Sequence, residues 1–116
     1  MKKNVVKEKS FQLAVRIVKQ CQRIQEFNRE YILTKQLIRS GTAPGALIRE
    51  AEHAQSKADF IHKMSIGLKE INETLYWLEL MKETDYLQIE EFNPLWSESE
   101  EILKLLFSII KTSKKT

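Results

Sequence analysis

The sequence has little that would break a helix or staple a loop: one cysteine, three glycines and two prolines in 116 residues. A lone cysteine, Cys21, excludes an internal disulfide and any multi-cysteine zinc site, so the fold has to stand on packing, as suits a reducing cytoplasm. No stretch approaches the roughly 20 consecutive apolar residues that span a bilayer. The N-terminus is basic and has no apolar signal core, so neither export nor membrane insertion is expected. With 42% hydrophobic and 30% charged residues, the composition also excludes a disordered or collagen-like chain. Neither sign of charge dominates. A net charge of +3 and a pI near 9.0 permit weak attraction to polyanions but fall short of a dedicated polybasic binder.

What remains is apolar periodicity. The sparse breakers divide one domain, residues 1–116, into four amphipathic stretches, expected as helices over about 6–27, 29–54, 57–84 and 94–112. On the first, Phe11, Ala14, Ile17, Val18, Cys21 and Ile24 recur at three and four residues, while Arg16, Lys19 and Arg23 take the other side. Asn28 is placed to cap the second helix, and Pro44 is expected to kink it. The small residues around Pro44 would let a neighbouring backbone approach closely. Ser56 with Asp59 three residues on marks the start of the third helix. Its Ile61, Met64, Leu68, Ile71, Leu75 and Leu78 form the expected inner seam. Asn93-Pro94 is expected to open the fourth helix. Short connections between helices of this length predict an all-α, antiparallel up-down-up-down four-helix bundle.

A second stripe on the third helix, Ile66, Glu70, Glu73, Trp77 and Leu80, lies about 160° from the expected seam. One core cannot easily bury both sides, so this stripe is expected to be an interface between copies of the chain. Glu70 and Glu73 then need cationic partners, for which Arg39, Arg49 and Lys69 are within reach.

Catalytic patterns are weak. Glu50-x-x-His53 and Asp59-x-x-His62 hold di-iron-type ligands, but their phase turns them outward near a helix turn. Cys21 lies on an apolar stripe with no histidine at helical spacing, and Ser40 lacks a strand-to-helix elbow. Glu70 and Glu73 share one helix with no evident cleft. The chain is therefore expected to be no enzyme, with no cofactor, no metal and no small-molecule substrate. Nucleic acid is the expected partner, RNA or DNA, through Arg16, Lys19 and Arg23 on the first helix and Lys35, Arg39 and Arg49 on the second, by backbone contacts without sequence readout.

Gln36-Leu-Ile-Arg39-Ser40-Gly41-Thr42, then Gly45-Ala46-Leu47-Ile48-Arg49-Glu50-Ala51, Ser56-Lys-Ala-Asp59-Phe60 and Leu68-Lys69-Glu70-Ile-Asn-Glu73-Thr74-Leu-Tyr76-Trp77-Leu78 follow one another at fitting distances. Together they resemble the bacterial four-helix-bundle family of 23S rRNA-intervening-sequence proteins, over about residues 5 to 111. The resemblance implies antiparallel bundles that assemble into five-fold rings, hence a homopentamer. It also implies kinship of fold with retroelement accessory proteins that bind nucleic acid. After Thr42 the family tends to read Ser-Ile-Gly-Ala-Asn, whereas this chain reads Ala43-Pro44-Gly45-Ala46-Leu47, so any role of that serine and asparagine is missing. The expectation is a non-enzymatic, oligomeric scaffold or adaptor in the cytoplasm that binds nucleic acid. The alternative is a protein–protein scaffold without it.

Overall fold

The computed structural model describes residues 4–116. Four helices account for nearly all of them: α1 (Val5–Asn28), α2 (Leu33–Ala51), α3 (Lys57–Glu83) and α4 (Ile89–Lys115). Connections of four or five residues leave each helix no choice but to turn back along its predecessor. Ion pairs confirm the sense: Lys9 with Glu101 and Arg16 with Glu98 run antiparallel between α1 and α4, as do Arg39 with Glu70 and Lys63 with Glu50 between α2 and α3. Each helix packs on two others, and α1 on α4 closes a rod of 48 × 24 × 21 Å.

The helix ends show which local chemistry prevailed. Asn4 caps α1 by accepting from the Lys7 N–H at 3.1 Å. α1 stops where Arg29 adopts a left-handed conformation, φ 55°, and not by handing over to a new helix at Asn28. The second helix then begins four residues later than its periodicity suggests. Glu30 is the reason: its carboxylate accepts from the backbone N–H of Ile32, Leu33 and Thr34 at 2.9–3.0 Å. Ser56 caps α3 as expected, accepting from Asp59 N–H at 3.0 Å. α4 begins five residues before Pro94, at a reciprocal capping box between Gln88 and Glu91. Pro94 thus lies in the second turn, on an exposed face.

The Glu30 cap makes a prediction. Burial alone would raise its carboxyl, but the three N–H groups and the Thr34 hydroxyl outweigh that and hold it below the usual carboxylate range. A folded pKa below the unfolded value of about 4.3 stabilises the fold above that pH, and the contribution fades as pH falls through the folded value. Glu30→Gln should therefore cost about 1 kcal/mol at neutral pH, and the gap to wild type should close as pH falls through the folded value. Urea midpoints at neutral and acid pH measure it.

Pro44 does not divide α2, which runs unbroken from Leu33 to Ala51 with the proline buried inside it. Small neighbours let adjacent helices come close here. A Cβ built on Gly45 would stand 3.5 Å from the Ser10 backbone oxygen of α1.

The largest departure from expectation is the rotation of α3. Its buried line is Met64, Gly67, Ile71, Thr74, Leu78 and Met81, turned about 60° from the expected seam at 100° per residue. Ile61, Leu68 and Leu75 lie half-buried on the flank instead. Gly67 and Thr74 face inward because α2 comes close: a Cβ on Gly67 would lie 3.9 Å from Leu47 Cβ and 4.0 Å from Pro44 Cα. Thr74 satisfies its own hydroxyl by donating to the Glu70 carbonyl at 2.9 Å.

Candidate functional site

That rotation carries the second stripe of α3 to the edge facing α2, where it does two things. Glu70 and Glu73 receive Arg39, which donates from Nη1 to Glu70 at 3.0 Å and from Nη2 to Glu73, while its Nε donates to Gln36 at 3.2 Å. Of the three cations expected to reach these carboxylates, Arg39 is the one that does. Trp77 donates from Nε1 to the same Glu73 carboxylate at 2.8 Å and lays its ring against the core. The expectation that one bundle cannot cover this stripe is thus corrected for Trp77, which its own chain half-buries. Ile66 and Leu80 are also half-buried.

Beside them stand side chains that the periodicity did not single out. Tyr76 is 57% exposed and meets Trp77 edge-on at 5.0 Å between ring centroids. Ile32, in the α1–α2 connection, is 77% exposed. The antiparallel register set by Arg39 and Lys63 puts it level with Trp77 to Leu80, about two turns beyond Arg39. Tyr76, Trp77 and Leu80 are thus apolar neighbours on α3, and the exposed Ile32 stands at their level along the rod. The signal for Tyr76 was an aromatic next to Trp77 and off the inner line. Ile32 gave none, because a connection has no period to violate.

The basic residues are less free than their spacing suggested. Arg16 pairs with Glu98, and Arg23 approaches Glu91 at 3.9 Å, so α4 supplies carboxylates along the cationic side of α1. Arg39 is held by Glu70 and Glu73, and Arg49 stands 5.1 Å over the Phe11 ring. Of the six residues, Lys19, Lys35 and Arg49 remain exposed without an ion pair among the described residues.

Charge is distributed unevenly along the rod. The end formed by residues 23–36 and 76–94 carries seven carboxylates against four cations. The opposite end, residues 4–15, 46–65 and 102–116, carries nine cations against four carboxylates.

The remaining reactive groups sit apart. Cys21 is buried in the core, and burial first, then the Glu30 carboxylate, pushes its thiol up to about 12. A thiol so placed stays protonated at neutral pH and is a weak nucleophile. His53 and His62 are exposed, and Lys63 lies 3.8 Å from Glu50 and 3.5 Å from Asp59. Among the described residues, no group of three or more His, Cys, Asp and Glu side chains is placed to hold a metal ion. No helix among them is long and apolar enough to cross a membrane.

Comparison with known proteins agrees with the motifs. A crystal structure of a protein with unknown function, from the S23 ribosomal protein family of Bacteroides thetaiotaomicron VPI-5482, superposes with a TM-score of 0.90 at 53% sequence identity. The match covers 91% of this chain and 98% of that one. No curated protein matches. The family model for 23S rRNA-intervening sequence proteins matches residues 2–108. The motifs across α2 and α3, the four-helix fold and this match agree, and the chain belongs to the 23S rRNA-intervening sequence protein family.

Proposed function

We propose that the protein is a non-enzymatic scaffold in the cytoplasm that works as a homo-oligomer, a ring of five copies, and holds nucleic acid on its basic surfaces. The observation that carries the reading is the set of apolar side chains Tyr76, Trp77, Leu80 and Ile32, with Tyr76 and Ile32 more than half exposed. Large apolar side chains exposed at one level of a single chain favour a contact there, and a second copy is the partner always at hand. The nucleic-acid half is supported by the excess of cations left over by the ion pairs. A reading with protein partners alone is favoured by the carboxylates that α4 sets against Arg16 and Arg23.

Light scattering tests the assembly. Wild type should give about five times the 13.7 kDa of one chain, and Ile32→Asp with Tyr76→Asp should reduce it to a helical monomer. A wild-type monomer would overturn the scaffold. Salt-titrated binding to RNA and DNA tests the other half, and no binding even at low salt leaves protein partners alone.

A further inference from the structure

A group of unpaired cations also stands away from the α1 face, along the α3–α4 seam. On α4, Lys104, Phe107, Lys111 and Lys114 are spaced three, four and three, which sets them in one stripe. The stripe lies well away from the buried Ile102, Leu106 and Ile110 of the same helix. All four side chains are exposed, Phe107 by 59%. Across the α3–α4 seam stands Lys69, and between the helices runs a groove of about 350 Å³. Leu68 and Leu103 line the groove, with Ser65 and Asn72 alongside.

This surface differs from the α1 face in what it lacks. Neither residues 60–69 nor residues 102–116 contain an aspartate or glutamate, and Glu100, one turn before Lys104 on the same line, makes no ion pair among the described residues. Glu70 and Glu73, the nearest carboxylates on α3, are turned toward α2 and engaged by Arg39. Lys69, Lys104, Lys111 and Lys114 make no ion pair among the described residues. Lys114 is in the last turn of α4, where it complements the free helix carbonyls, so the other three are the cations left for a ligand.

We propose that the α3–α4 seam binds single-stranded nucleic acid, with Lys69, Lys104 and Lys111 on phosphates and Phe107 stacked under an unpaired base. The inference rests on the nucleic-acid reading above and locates it. Phe107 stands between Lys104 and Lys111, which are about 10 Å apart along the helix at 1.5 Å per residue. An exposed ring between two unpaired ammonium groups suits a strand whose bases are free to turn outward, because base–aromatic stacking is tolerant of sequence and needs an open π-face. A duplex offers its phosphates here but no base face. The floor of Leu68 and Leu103 is apolar, so a stacked base meets a dry wall while its backbone stays over the lysines.

The test is fluorescence anisotropy with a labelled oligouridylate across a salt series, using the full chain. Removing three phosphate partners should lower the salt slope by about 2, so Lys69→Gln, Lys104→Gln and Lys111→Gln together should weaken binding at least tenfold and flatten the slope. Phe107→Ala should weaken binding roughly tenfold and leave the slope unchanged, because stacking releases no counterions. A blunt duplex should bind more weakly than the single strand and be indifferent to Phe107→Ala. If instead Arg16→Gln, Lys19→Gln and Arg23→Gln together abolish binding while the α3–α4 triple leaves it intact, the location is overturned and nucleic-acid binding stands. If Phe107→Ala changes nothing, or the duplex binds as tightly, the single-strand assignment is overturned. Wild type failing to bind at low salt overturns both. Circular dichroism of each variant separates impaired binding from impaired folding.

Discussion

Leucine in place of Gly41 should cost about 3 kcal/mol, a large part of the roughly 5–15 kcal/mol that holds a domain of this size. Gly41 is buried on α2, and a Cβ built there would stand 2.4 Å from Ile17 Cδ1 and 3.2 Å from its Cγ2 on α1. One methyl group could be met by swinging Ile17 aside. A whole isobutyl group cannot, because Ile17 is itself fully buried and the helices would have to part. The double variant with Ile17→Ala tests the cause: it should recover more than half of the loss, since the alanine vacates the volume that the leucine needs. Urea denaturation of the single and double variants measures both. A loss below about 1 kcal/mol for Gly41→Leu alone would mean that α1 and α2 are not in close contact there. Gly67 makes the contrast, since its nearest neighbours would be 3.8–4.0 Å from a Cβ, ordinary contact distances.

Trp77→Asp should damage the fold itself, by about 3 kcal/mol or more. Trp77 is packed on the core and donates to Glu73. An aspartate there would lose that burial and set a third carboxylate beside Glu70 and Glu73, with Arg39 as the cation between them. Tyr76→Asp changes the neighbouring position at little cost to the monomer, because that ring is already 57% exposed. Far-UV circular dichroism and a thermal melt distinguish the two: Trp77→Asp lowers the midpoint sharply, Tyr76→Asp barely moves it. Equal melting of both variants would mean that Trp77 contributes no more to the core than Tyr76 does. Association is therefore probed at Tyr76 and Ile32.

Much of this architecture was legible in the residues. Helix number, order and the cap at Ser56 follow from periodicity and from side chains with one obvious use. The register of α3 was not, because a pattern keyed to large apolar groups passes over Gly67 and Thr74. Those two face inward because α2 is close enough to fill the space that a larger side chain would take. The same rotation decided the fate of Trp77. Glu30 stands near a helix start, but that it displaces the start by four residues depends on three backbone N–H groups converging on one carboxylate. The partner of Glu70 and Glu73 was anticipated because a half-buried acid pair demands a cation, and Arg39 was one of the few in reach. The α1 cations were visible as a stripe, but the carboxylates opposite them belong to a helix some 70 residues away in sequence, a separation that no local pattern spans.

The unequal ends of the rod have a consequence for a ring of parallel copies. Like ends would be gathered onto one rim, giving a two-faced disc with a negative and a positive brim, each repelling itself. Added electrolyte would relax that strain between neighbours within a Debye length of about 10 Å at 0.1 M. The same electrolyte would loosen any polyphosphate held on the positive side. Cohesion of the particle and its grip on a strand should then respond to ionic strength in opposite senses.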